Sequence, residues 1–193
     1  MNTQATNLLA RWNHRALKLK SQRGFGLIEM SIAAGLAGIL ALLGWALVPG
    51  IMAGFNASKI TNELQSAIPK IQASYNNRTS FAQLTTEEVA KRRWFSDGFT
   101  ETNGNIPTGK LLTKWGEITF APASGNNQAV GTLNNIPSRE CNNITESFDT
   151  SLYLSATVNS TSIKTATTPL AATTAADQCN SSESNTITFN FRR

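Results

Sequence analysis

The residues able to do chemistry in this 193-residue chain are few and far apart. Glu29 is the one charge between Gly24 and Phe55, in the stretch GFGLIEMSIAAGLAGILALLGWALVPGIMAGF. A carboxylate inside so apolar a run costs on the order of 2.5 to 3.5 kcal/mol at mid-span, so it should have a partner. Cys141 and Cys179 are the two cysteines, too widely spaced for a redox CxxC and, without a nearby histidine, a poor zinc site. The sole histidine, His14, lies among the first 24 residues, which leaves no Ser-His-Asp, Cys-His or His-metal arrangement beyond them. No GxxxxGK[ST] loop is present. The adjacent acids Glu87 and Glu88 point to different sides of a helix and read as first-turn acids favoured by the dipole, not as a catalytic pair. No catalytic residue, cofactor-binding residue or metal ligand is therefore expected, and no enzyme activity.

The element that must position Glu29 is a membrane span. The run from Met30 to Ser58 is uncharged and exceeds the roughly 20 apolar residues that cross a bilayer. Residues 1–24 carry Arg11, Arg15, Lys18, Lys20 and Arg23 and no acid, which places that end in the cytoplasm. Leu8, Leu9, Trp12 and Ala16 recur there at roughly helical spacing, as in a short cationic amphipathic helix on the inner membrane face. A secretory signal has a shorter apolar core closed by a small-residue cleavage site, whereas here the sharp boundary lies before the apolar run. Ala34 with Gly38, Ala37 with Ala41, and Gly50 with Gly54 are small residues four apart, the spacing at which membrane helices approach closely. Pro49 predicts a kink or local melting.

The rest of the chain is then expected outside the cytoplasm, where a Cys141–Cys179 disulfide would persist. All twelve acidic residues and twelve of the seventeen basic ones follow Gly24, so that portion is neutral overall and lacks a basic patch for nucleic acid. Lys91-Arg92-Arg93 is the one cluster and reads as a solvated helix end.

Ile60, Leu64, Ile68, Ile71 and Tyr75 recur at steps of three or four among polar residues, so an amphipathic helix continues the span. One helix from Phe25 to about Tyr75 would be close to about 75 Å long, bent at Pro69. Residues 76–112 read as a connection with one short helix, 85–95, and loops at Asp97-Gly98, Asn103-Gly104 and Pro107. A strand over 114–122, with Ile118 and Phe120 on one face, leads to a turn at Gly125 to Asn127. A helix over 141–148 follows, then a strand through Leu152 to Val158, a turn at Asn159-Ser160 and a return strand holding Ile163. Residues 165–177 read as a polar loop. Thr186 to Phe191 alternate strictly, as a closing strand.

Arg23-Gly24 followed by Phe25, with Glu29 the fifth residue after the glycine and a long apolar run beyond, resembles the prepilin processing site of type IV pilins and of type II secretion pseudopilins. The tryptophan-glycine before ITF, the Pro-containing loop Ile136 to Cys141, and a second cysteine before TITFNF resemble a type IVb pilin, as does the long leader. The resemblance implies an α+β fold: a long N-terminal helix, its apolar front half spanning the membrane, packed on a small antiparallel β-sheet domain with one disulfide. It divides the chain into a cleaved basic leader (1–24), the long helix (25–76) and a globular head (77–193) with a disulfide-bounded region (141–179). It implies cleavage between Gly24 and Phe25 by a prepilin peptidase, methylation of the Phe25 amine, and polymerisation through the helix with Glu29 meeting the Phe25 amine of a neighbouring subunit. Implied partners are further copies of the chain, the peptidase, the inner-membrane pilus assembly machinery, minor pilins, and a host or recipient cell surface reached in adhesion or conjugation. The subunit would sit in the inner membrane with its head in the periplasm, then in an extracellular pilus. A minor pilin, a pseudopilin or a permanently anchored binding module are the alternatives.

Glycine has no Cβ and permits close backbone approach in a protease cleft, so a bulky or charged replacement of Gly24 should block processing. N-terminal sequencing beside an active prepilin peptidase should find Phe25 first in the native chain and Met1 first in the variant.

Overall fold

The computed structural model of the protein describes residues 26–123 and 125–193. It divides into two compact units at Gly44/Trp45. Helix α1, Leu27–Tyr75, belongs to both. Its helical assignment is unbroken through Pro49 and Pro69, so the local melting expected at Pro49 does not occur. Each proline removes one donor and leaves the flanking i→i−4 bonds to hold the helix. Pro69 stands on the exposed side, away from the buried stripe.

In the unit from Trp45 onward, Ala53, Ala57, Ile60, Leu64, Ala67, Ile68, Ile71 and Tyr75 of α1 are buried, at the three- and four-residue steps that keep one helix face inward. From Ala57 onward that stripe joins one core with the inner face of a seven-stranded, wholly antiparallel sheet. The strands are β1 (Thr100–Asn103), β2 (Ile106–Leu112), β3 (Glu117–Pro122), β4 (Gln128–Ile136), β5 (Ser155–Val158), β6 (Thr161–Lys164) and β7 (Asn185–Arg192). Their spatial order is β1-β2-β3-β4-β7-β5-β6. Strict alternation puts Ile187, Phe189 and Phe191 inward, and the last strand lies centrally, hydrogen-bonded to β4 on one side and β5 on the other. Gly131 of β4 is paired with Phe120 and with Phe189. A Cβ there would lie 2.3 Å from the Phe189 ring, so only glycine lets that ring lie across the strand.

Outside the sheet, α2 (Thr86–Lys91) is capped by Thr85, whose hydroxyl accepts from Glu88 N at 3.1 Å. It ends at Lys91, four residues before the expected end at 95, and Arg93 just beyond it takes positive φ. Lys91, Arg92 and Arg93 are exposed and pair with Glu87, Glu88 and Asp97, and the Lys91 ammonium holds the Glu87 carboxyl below its usual range. α3 (Ser138–Glu146) is followed by a 3₁₀ turn, Ser147–Asp149, so this helix begins three residues before Cys141. α4 (Ala172–Asn180) replaces the second half of the polar loop expected over 165–177: Ala175 and Cys179, four apart, are its buried contacts.

The connecting region 76–112 also holds the β1–β2 hairpin, which turns at Gly104-Asn105 with Gly104 at positive φ. The Lys114 to Pro122 strand is shorter than expected, since Lys114 and Gly116 lie in the preceding turn. Asn159 and Ser160 both adopt positive φ between β5 and β6, the geometry of a tight two-residue hairpin turn. Cys141 of α3 and Cys179 of α4 are disulfide-bonded, with Cα atoms 5.6 Å apart.

Breaking that bond should cost the head up to roughly 4 kcal/mol, from the loop-closure entropy it removes from the unfolded chain. Thermal unfolding of Cys141→Ser beside the native chain should show the loss, and the two should unfold alike once the native chain is reduced.

Candidate assembly site

Of the residues singled out at the processing site, Gly24 and Phe25 lie outside the described residues, and with them any contact between Phe25 and Glu29. Glu29 lies in the first turn of α1. Its Oε2 accepts from the backbone N–H of Gly26 at 3.1 Å, a partner that only the uncapped end of a helix offers. The helix dipole favours a negative charge there. One amide fills one of about four lone-pair sites on a carboxylate, so Glu29 keeps capacity for a cation.

Beyond it the front of α1 is apolar on every side. Within the unit ending at Gly44, Leu27 is 91% exposed, and Ile28, Met30, Ile32, Leu36 and Leu40 are exposed as well. By length and composition the helix can cross a membrane. Gly35, Gly38, Gly44, Gly50 and Gly54 each have open space where a Cβ would stand. Glycine inside a helix is unfavourable by about 0.5–1 kcal/mol relative to alanine, and nothing within the subunit requires these five. Small residues with open space beside them are the kind that let membrane helices approach closely.

The rear of α1 is held by polar bonds as well as by its apolar stripe. The Glu63 carboxylate accepts from the backbone N and, at 3.0 Å, the hydroxyl of Ser96. Lys70 Nζ donates to Trp94 O at 3.3 Å and Gln72 Nε2 to Arg192 O at 2.6 Å. Tyr75 donates to Glu88, which also pairs with Arg92 at 3.0 Å and Arg78 at 3.6 Å. Burial first, and then the Glu88 carboxylate, push the Tyr75 phenol up to about 12. Glu88, read from sequence as a first-turn acid, is thus also a latch between α2 and α1.

At the disulfide, sequence reasoning missed a buried amide. Asn185 is fully buried. Its Nδ2 donates to Cys179 O at 3.0 Å, Ser182 O at 2.9 Å and Ile136 O at 3.3 Å. Its Oδ1 accepts from Asn159 Nδ2 at 2.7 Å, and Asn159 Oδ1 accepts from Thr186 N at 3.0 Å. The pair ties the end of α4 to β7 and to the β5–β6 turn. Nothing in a polar residue at the start of a strand signals this. Among the described residues, no group of three or more His, Cys, Asp or Glu is placed to hold a metal ion.

Asn185→Ala strands several buried carbonyls, so it should destabilise the head by about 3 kcal/mol. Denaturant unfolding followed by near-UV circular dichroism should show the loss; a change under ~0.5 kcal/mol would mean that the carbonyls find other partners.

The comparisons with known proteins agree with this layout. The family model described as PilS N terminal matches residues 55–191, and the prokaryotic N-terminal methylation motif matches residues 19–45. No curated protein sequence matches the chain. Among solved structures, the type IV b pilin from Salmonella typhi is similar in fold, with a TM-score of 0.51 at 17% identity, covering 68% of this chain and 99% of that one. With the PilS model matched over well more than half of its length, and a long N-terminal helix packed on an antiparallel sheet, the chain belongs to the PilS family of type IV pilins.

Proposed function

We propose that the protein is the structural subunit of a type IVb-like pilus. The observation that carries this reading is the front of α1: apolar on every side, studded with glycines that nothing in the subunit requires, and bearing one carboxylate, Glu29, in its first turn. A prepilin peptidase cuts between Gly24 and Phe25 and the new Phe25 amine is methylated, a reading supported by the methylation-motif match at 19–45. The subunit waits in the inner membrane with its leader cytoplasmic and its head periplasmic. The assembly machinery then transfers it into an extracellular homopolymer whose core is made of α1 helices. Minor pilins join it, and the heads face outward to a host or recipient cell surface.

Glu29 sets the register of that core. The Phe25 amine stays cationic when methylated, and a neighbouring subunit's Glu29 neutralises it. An interfacial pair need not add net stability over an apolar contact, but a charge left unpaired in an apolar core typically costs about 3 to 5 kcal/mol. Misaligned subunits are therefore rejected. The subunit acts as a polymer building block and carries out no catalysis of its own.

Glu29→Ala should leave cleavage, membrane insertion and the head intact while reducing incorporation into filaments. Shear preparations from a strain carrying only that variant, with membrane protein quantified in parallel, provide the measurement; wild-type filament yield would overturn the assignment of Glu29.

A further inference from the structure

The uncharged run of α1 begins at Met30, and Lys59 is the first charged residue after it. About 20 residues of helix cross the hydrocarbon of a bilayer, and each headgroup layer adds about 5–7 Å, or about five residues at 1.5 Å each. Counted from Met30, the outer edge of the hydrocarbon falls near Pro49, and the outer headgroups lie alongside Gly50 to Phe55. Lys59 reaches down to that level: its ammonium lies over the Phe55 ring, 4.4 Å from the centroid, one helical turn toward the membrane.

Lys59 also lines a cleft of about 560 Å³ between α1, the 96–99 segment and the turn from β2 to β3, within the size range of ligand pockets. Lys114 lines it too, and both lysines are exposed. No carboxylate pairs with either among the described residues. The one acid of the lining, Glu63, is taken up by the backbone N–H and the hydroxyl of Ser96. Around the two cations the surface is apolar and aromatic: Trp115 is half-buried, Leu112 is 37% exposed and Phe55 is 56% exposed. Tryptophan and lysine side chains with an apolar body and a polar tip suit the level where headgroups meet acyl chains.

We propose that this cleft docks the head onto an anionic phospholipid in the outer leaflet of the membrane that α1 crosses. Lys59 and Lys114 receive the phosphodiester, and Trp115, Leu112 and Phe55 lie against the glycerol and the first acyl carbons. A headgroup carrying its own ammonium would bring a third cation beside two that face no free carboxylate, so the anionic lipid is preferred. The inference rests on the membrane-spanning reading of α1.

The test is the full chain in nanodiscs of phosphatidylcholine with a rising fraction of phosphatidylglycerol, followed by the indole N–H resonance of Trp115 and the amides of residues 112–115. These resonances should shift saturably with phosphatidylglycerol and stay unshifted in phosphatidylcholine alone. Lys59→Gln and Lys114→Gln should each raise the lipid fraction at half-saturation about fivefold, the weight of one lysine near an anionic surface, and together abolish saturation. Neither should lower the melting temperature, since both side chains are exposed and make no salt bridge among the described residues. No response to phosphatidylglycerol, a native response in the double variant, or soluble glycerol phosphate saturating the same shifts as tightly would overturn the proposal. Hydrogen exchange of the 30–49 amides in the same discs separates the two readings. Their protection with an unresponsive cleft would overturn this inference alone, whereas their free exchange would overturn the spanning reading and this inference with it.

Discussion

A helix that is apolar on every side has to be covered by something other than water, and the front of α1 imposes that constraint on everything else in the chain. Amphipathic helices hide one stripe against their own domain. From Leu27 through Leu43 there is no polar face to leave outside, and the large side chains there are exposed. Only lipid or other apolar helices can meet such a surface. The glycines with open space around them favour the second at some stage, because lipid gains nothing from a missing Cβ whereas a neighbouring backbone does.

The rear of the same helix answers a different demand. From Ala53 onward, buried positions fall on one stripe, and polar residues on its borders reach the head: Glu63 to Ser96, Lys70 to Trp94, Gln72 to Arg192, Tyr75 to Glu88. These bonds are individually worth about 1 kcal/mol, small beside the burial of Leu64, Ile68, Ile71 and Tyr75 at about 1.5–3 kcal/mol each. Their contribution is to fix rotation and register: a helix slipped by one residue would lose all four together. A head held rigidly to its helix is what a polymer needs if the contacts of each subunit are to repeat.

Much of this is legible in the residues, and the failures share a cause. The period of α1, the alternation of Ile118 with Phe120 and of Ile187 with Phe189, and the Asn159-Ser160 turn are local signals, and the folded chain keeps them. Strand β4 is hidden because Gly131 stands where alternation calls for a large apolar residue; the space is filled by the Phe189 ring of the next strand. The β1–β2 hairpin buries little besides Thr100 and Leu111, so neither strand alternates visibly. α4 is helical with only Ala175 and Cys179 buried, a pattern too sparse to separate from a Thr- and Ala-rich loop. The N-terminal methylation motif matched over residues 19–45 is readable because its residues are neighbours in the sequence. Asn185 and the Glu88 latch are not, because their partners come from distant elements.

The claim on which the account rests is that the front of α1 is covered by other copies of itself, with the one carboxylate it carries paired across subunits. A cryo-electron microscopy map of the assembled filament, at a resolution that shows side chains, tests this most directly. The account predicts α1 helices packed at the filament axis, glycine faces in close contact, and each Glu29 carboxylate within salt-bridge distance of the Phe25 amine of a neighbour. A filament whose core excludes residues 27–44, or one in which Glu29 faces solvent with the amine elsewhere, would contradict it.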